Sequence, residues 1–342
     1  MSSEVEGLLA ERFAEWENPP HLEREVFETD DPARIAQIFQ AFCQEHLGAG
    51  IGAARFYQSM QACVLGVDLD DGVAVAVKAH PARTGRDLLD TVVSIQAWLG
   101  GRGFPCPPVL AGPVPLAAGW CVVEELVEGE PADAHRPKVR RAMAEALARL
   151  HALTDELGAL PGLPRVYPLR TEPGRLWPRP HHDLFDFAAT AGGAEWIDRI
   201  ALAARDRLQT PVGRTVTGHG DWSAKEMRVA DSGIVAVHDW QSLCRDREPV
   251  LVGHAAGQFT MTWDLPVRVA PSTDEMRAFV REYEAARGAP FDATEAAALD
   301  AALVLGLAYT ARCEHAVDAP TEGHAREWLA AHAETVLREG RR

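Results

Sequence analysis

From Val5 to about Gly48 apolar residues recur at three- and four-residue spacing, as at Ile35, Ile38, Phe39 and Phe42, and this period predicts helix. The period then shortens to two. QACVLGVD at 61–68 and VAVAVKA at 73–79 predict two antiparallel strands joined by Leu69-Asp70-Asp71-Gly72, where Asp-Gly supplies the positive φ angles of a tight hairpin. Helical spacing returns over 86–100 and ends at Gly100-Gly101. GFPCPPVL then predicts an extended entry into a strand at 120–127, WCVVEELV. An Ala- and Arg-rich helix follows over 137–152, opened by Pro137, which suits a first helical turn. Prolines at 161, 164, 168, 173, 178 and 180 predict an irregular excursion over 154–180. Beyond it the pattern predicts a helix at about 184–209, a compact β segment at 214–240, and two or three helices between 272 and 339. A small mixed α/β part thus passes into a mostly helical one, and we divide the chain into residues 1–125 and 126–342.

A chain of 342 residues, 47% hydrophobic and 25% charged, can bury one large core or two smaller ones. No run of eighteen consecutive apolar residues occurs, and the N-terminal MSSEVEGLLAERF is acidic and amphipathic where a signal peptide is basic and then apolar. A cytoplasmic protein without a membrane partner is expected. Cys43, Cys63, Cys106, Cys121, Cys244 and Cys313 are scattered with no CxxC pair, so reduced, buried thiols are expected rather than disulfides or zinc. The formal net charge of −16 argues against a nucleic-acid partner, because binding phosphates needs a surplus of Lys and Arg. It is compatible with a cationic small molecule.

The chemistry concentrates in Gly218-His219-Gly220-Asp221-Trp222-Ser223-Ala224-Lys225-Glu226-Met227, a turn at Asp231-Ser232-Gly233, and a strand, IVAVHDW, that delivers Asp239. One carboxylate stands before a hairpin and a second at its far end, so the two can converge. Phosphoryl transfer uses such a pair: one carboxylate takes the acceptor hydroxyl's proton, the other holds the metal that neutralises phosphate charge.

These motifs resemble the aminoglycoside phosphotransferase and choline kinase superfamily, whose catalytic loop reads roughly H-G-D-x-x-x-x-N and whose metal-binding strand ends in D-W or D-F. The resemblance implies an α+β, bilobal protein-kinase-like fold, with a small sheet-bearing N-lobe and a larger, mainly helical C-lobe. It implies Asp221 as catalytic base, Asp239 as metal ligand, and Mg²⁺ with ATP or GTP as phosphate donor. In VAVK, alternation puts Ala76 and Lys78 on one strand face. By resemblance Lys78 contacts nucleotide phosphates and Ala76 leaves room for the base. Glu124, Glu125 and Leu126 occupy the position of the hinge, where main-chain groups bind the purine edge. Residues 50–60 are assigned to a phosphate-covering turn.

The chain also departs from the family. Glu226 stands where the family has Asn, and a carboxylate there is an oxygen ligand with a full charge. Lys225 can stabilise charge on the γ-phosphate or simply be a solvated loop lysine. The helix position aligned with the glutamate that pairs with the family's lysine is Val92; Asp87, Asp90 and Gln96 are the alternatives, Asp90 the nearest by position. His219 is expected to brace the loop through the backbone, and His254 replaces a bracing aspartate. Acceptor contacts are sought among Asp183, Asp186, Trp263, Asp264, Glu282 and Glu314. The expectation is an O-phosphotransferase acting on an antibiotic such as an aminoglycoside or a related metabolite, as a monomer or homodimer. The alternative is a catalytically impaired pseudokinase that binds nucleotide or a small ligand.

Overall fold

The computed structural model describes residues 2–15, 20–158, 160 and 162–339. The chain divides into two compact units: Met1–Glu128 with His181–Asp183, and Gly129–Pro180 with Leu184–Arg342. Leu126 and Glu128 belong to the first unit because the Leu126 N–H donates to the Ala74 carbonyl and Glu128 pairs with Arg55.

The first unit opens with three helices, α1 (Ser2–Glu15), α2 (His21–Phe27) and α3 (Pro32–His46). α3 starts as its sequence directs: Pro32 fits the first turn, and the Asp31 side chain accepts from the Ala33 N–H at 3.1 Å. A five-stranded sheet follows, built from β1 (Ile51–Ser59), β2 (Cys63–Leu69), β3 (Ala74–His80), β4 (Val109–Leu116) and β5 (Gly119–Glu125). Its order is β1-β2-β3-β5-β4, all antiparallel. α4 (Arg86–Gly100) lies between β3 and β4 in the chain and packs against β4. The two sheet faces differ as the alternation requires. Val75, Val77 and Val123 join Leu65, Ile35 and Phe39 in one hydrophobic core, whereas Ala76 and Lys78, out of phase with them, are not part of it.

Residues 51–59 are an edge strand, not the expected phosphate-covering turn; the actual turn to β2 is Met60–Ala62. Gly52 obscured the strand, and its place in it is explained by close approach: a Cβ there would sit 3.2 Å from the Asp68 and Leu69 carbonyl oxygens.

The second unit carries β6 (Glu130–Pro131), α5 (Pro137–Asp155), α6 (Glu195–Arg207), β7 (Thr215–His219), β8 (Met227–Ala230), β9 (Gly233–Val237), β10 (Leu243–Arg247), α7 (Glu248–Gln258), α8 (Thr273–Arg287), α9 (Ala293–Ala316) and α10 (Ala325–Glu339). β6, β8 and β9 form one small sheet; β7 and β10 form another. α6 is shorter than the expected 184–209 because Gly192-Gly193, with Gly193 at φ +81°, breaks the run before it. α7 was not foreseen. EPVLVGHAAGQ is buried from Glu248 to Gly257, so it shows no amphipathic stripe to read.

α9 is long and apolar enough by length and composition to cross a membrane, yet it is largely buried among α7, α10 and α6 as the core helix of this unit. α7 approaches it so closely that a Cβ on Gly253 would lie 2.1 Å from the Leu299 carbonyl oxygen.

Candidate functional site

β7 runs into the loop that carries the chemistry. At its end the Gly220 N–H donates to the Ser242 carbonyl (2.8 Å), tying the loop to the residue that precedes β10. Two buried tryptophans flank the turn: Trp222 donates its indole N–H to the Met143 carbonyl at 3.2 Å, and Trp240 donates to Val237 at 2.7 Å. The His219 ring meets both edge-on. His219 Nε2 donates to the His238 carbonyl at 2.9 Å, so its Nδ1 is the acceptor that takes the Asp221 N–H at 3.2 Å. Burial lowers the His219 pKa, which keeps this neutral, bridging form. The histidine braces the loop through the backbone.

His254 of α7, also buried with a lowered pKa, reaches the Gly220 carbonyl through Nε2 at 3.0 Å, joined there by Gln258 at 3.2 Å. Two backbone bonds fix the far side of the loop: the Ala224 N–H to Phe259 and the Lys225 N–H to Met261.

The β8–β9 hairpin then does what the spacing of the two aspartates requires. The His238 N–H donates to the Glu226 carbonyl at 2.8 Å, so both ends of the hairpin are held together. One ligand oxygen from each of Asp221, Glu226 and Asp239 lies within 4.8 Å of the others. Asp239 adopts the left-handed conformation, φ 60° and ψ 43°, which Asp tolerates better than most residues. Its carboxylate accepts from Gln241 Nε2 and Ser242 Oγ, which aim it.

Lys225 sits among these carboxylates, its ammonium 2.6 Å from Asp221 Oδ2 and 2.6 Å from Glu226 Oε1. Ser223 Oγ donates to Asp221 Oδ1 at 2.8 Å. Burial pushes the Asp221 carboxyl up, but the Lys225 charge and the Lys225 and Ser223 hydrogen bonds outweigh it and hold the group at about 2. For Glu226 burial wins: with Asp239 and Asp221 adding negative charge beside it, the carboxyl rises to about 7 despite Lys225. Burial alone lowers the Lys225 pKa, but the three carboxylates raise it, Asp221 most.

An all-oxygen set of three carboxylates suits a hard divalent cation such as Mg²⁺. Lys225 shares two of the same residues, so a bound ion and the ammonium compete for those oxygens.

In the first unit, Lys78 and Glu124 form a buried ion pair at 2.6 Å. Val92, where the resemblance looks for the lysine's partner, is a buried apolar residue of α4, and Asp87 and Asp90 on that helix are exposed. Glu124 lies within β5, opposite Ala76 on one side and Val109 on the other, with its side chain turned to Lys78. The Glu125 N–H donates to the Pro108 carbonyl and the Leu126 N–H to Ala74, both at 2.9 Å, so as donors these amides are committed to the sheet. Ala76 is buried on β3 beside Lys78's position.

Several carboxylates considered for the acceptor have structural roles. Glu282 pairs bidentately with Arg140, Glu314 accepts from the Ala325 and Arg326 N–H groups at the start of α10, and Asp264 pairs with Arg228. Asp186 caps the turn at Ala188 and Ala189, while Trp263 is 65% exposed. Ser223, Gln241, Ser242 and Gln258 were missed. Short polar residues flanking a carboxylate carry no period, and only their neighbourhood to Asp221 and Asp239 could have marked them.

The model of the phosphotransferase enzyme family matches residues 67–299. None of the curated proteins matches the chain. Among solved structures it is similar to amicoumacin kinase hAmiN in complex with AMP-PNP, Ca²⁺ and Ami (TM-score 0.57, 10% identity, 84% of this chain and 88% of that one). It is similar also to spectinomycin phosphotransferase APH(9)-Ia with ADP and spectinomycin (TM-score 0.51, 13% identity, 89% and 93%). A third is choline kinase from Cryptosporidium parvum (TM-score 0.50, 10% identity, 89% and 95%). At such identities the likeness speaks for the fold, which is protein-kinase-like.

Proposed function

This chain belongs to the phosphotransferase enzyme family and is a small-molecule kinase, and from that premise we propose that it transfers the γ-phosphate of ATP to a hydroxyl of an antibiotic, such as an aminoglycoside, or of a related metabolite. The observation that carries this is the convergence of Asp221, Glu226 and Asp239 on one spot. The acceptor oxygen attacks the γ-phosphorus, the bond to the β–γ bridging oxygen breaks, ADP leaves, and the hydroxyl proton passes to the Asp221 carboxylate. Ser223 and Lys225 orient that carboxylate. Asp239 and Glu226 are the residues that would hold Mg²⁺, which supplies charge neutralisation on the phosphate oxygens. Lys225, beside the Asp221 carboxylate, also meets negative charge developing on the transferring group. Lys78 contacts the nucleotide phosphates. ATP is favoured as donor because similar folds have been solved with AMP-PNP and ADP. The net charge of −16 is compatible with a cationic acceptor and opposes a nucleic-acid partner.

One observation favours a second reading. The Lys225 ammonium between Asp221 and Glu226 would suit a catalytically impaired protein that binds nucleotide without turnover. Incubating the full chain with γ-labelled ATP, Mg²⁺ and a panel of cationic antibiotics, sugars and amino alcohols separates the two. Labelled phosphate ester on at least one acceptor supports the kinase; ATP binding with no transfer to any acceptor supports the impaired protein.

A further inference from the structure

We propose that Glu124 is the positioning residue for Lys78: a carboxylate built into the sheet, in place of one carried on the neighbouring helix, aims the lysine at the nucleotide's phosphates. The inference rests on the nucleotide role of Lys78 given above.

The register dictates the meeting. β3 and β5 pair with Ala76 opposite Glu124 and Lys78 opposite Val122, so Lys78 and Glu124 are diagonal neighbours on one sheet face. Alanine opposite Glu124 leaves the carboxylate room to lean along the strand. The result is the 2.6 Å pair, with Lys78 7% and Glu124 3% exposed. A buried ion pair is poor at stabilising a fold, because desolvating two charges offsets much of their attraction. Its presence therefore asks for another purpose.

The surrounding polar atoms point to one. Gln96 of α4 is buried, and its Nε2 donates to Glu124 Oε1 at 3.1 Å and to the Pro107 carbonyl at 2.8 Å. Two acceptors fix the amide, and the amide fixes one carboxylate oxygen. The other oxygen touches Lys78 at 2.6 Å without hydrogen-bond alignment, and Lys78 Nζ has no hydrogen-bond partner among the described residues. A buried ammonium held by charge, with its donors unmatched, is poised for an anion that brings its own oxygens. Every member of this network belongs to the first unit. α4 offers no alternative: Val92 is apolar, Asp87 is exposed, and Asp90 lies 3.4 Å from Arg86 in an exposed pair.

The test measures binding of MgATP and of adenosine to the full chain and to Glu124→Gln, Gln96→Leu and Lys78→Met. A positioning role acts on phosphates alone. Glu124→Gln is expected to weaken MgATP roughly tenfold and Gln96→Leu about threefold, while adenosine affinity stays within twofold; a merely structural role would weaken both ligands together. Combining Glu124→Gln with Lys78→Met should bind MgATP no worse than Lys78→Met alone. MgATP affinity unchanged or tightened in Glu124→Gln, with Lys78→Met impaired, overturns the inference alone. Unchanged affinity in Lys78→Met overturns the nucleotide role of Lys78 and this inference with it. Should Glu124→Gln not fold, Gln96→Leu decides: equal MgATP affinity to wild type, or equal loss for adenosine, overturns the proposal.

Discussion

Acid should destabilise this protein through His151, by an amount the structure sets. His151 of α5 is fully buried and ends a hydrogen-bonded chain. Glu248 is held by Arg214 at 2.7 and 3.0 Å, and Tyr283 Oη donates to Glu248 Oε1 at 2.6 Å. The Tyr283 oxygen is left as acceptor, so His151 Nδ1 must donate to it, at 2.8 Å. Nε2 is then the unprotonated nitrogen, buried without a partner among the described residues and facing Gly218 of β7, where a Cβ would come within 2.6 Å. Burial lowers the pKa from 6.5 to about 3, and the opposing pull of Glu248 does not restore it. The folded state refuses a proton that the unfolded chain accepts. Stability from this source is therefore intact above about pH 6.5 and is lost as pH falls toward 3. From pH 7.5 to pH 5.0 the loss is about 1.5 pH units at about 1.4 kcal/mol each, or about 2 kcal/mol. Urea unfolding at both pH values, for wild type and His151→Gln, isolates this share, because the other titrating groups cancel in the difference. The variant's stability should fall by about 2 kcal/mol less than wild type's. Parallel pH dependences would show that His151 does not carry this loss.

Two other substitutions test the carboxylate cluster and the helix core. Glu226→Asn replaces a carboxyl of the oxygen set by a neutral amide and should raise the Mg²⁺ or Mn²⁺ concentration for half-saturation severalfold, read by metal titration without nucleotide; an identical titration would show that Glu226 does not touch the ion. Gly253→Ala places a methyl 2.1 Å from the Leu299 carbonyl, where only backbone movement can relieve it. Its cost should reach or exceed the upper end of the roughly 1–3 kcal/mol of an overpacked core, lowering Tm by several degrees; an unchanged Tm would mean that α7 and α9 separate freely.

The features legible in the sequence are those with a period or a fixed spacing. The alternation in VAVAVKA separated Val75 and Val77 from Ala76 and Lys78, and the sheet keeps that division. The spacing of Asp221 and Asp239 around a hairpin turn brought their carboxylates together, and Glu226 with them. Contacts that depend on register were hidden. Position alone marks Glu124 as a main-chain purine contact, and nothing in WCVVEELV says which side chain faces Lys78. That follows only from the β3–β5 pairing. Buried elements were hidden too: α7 has no polar face, and the edge strand β1 carries Gly52 where its neighbour's carbonyls crowd it. The structural partners of Glu282 and Glu314 are hidden in the same way, since Arg140 and the start of α10 are remote in sequence.

The turnover of Asp221→Asn on an acceptor found with the labelled-ATP panel tests most directly whether Asp221 is the general base. Asn keeps the side chain's shape and its Ser223 contact but cannot take the hydroxyl proton. A positioned general base contributes about 10²–10⁴ in rate, acting mainly in the transition state. kcat should fall at least about a hundredfold while nucleotide affinity stays within a few-fold. Turnover at the wild-type rate would contradict this, because Asp221 would then not be the base.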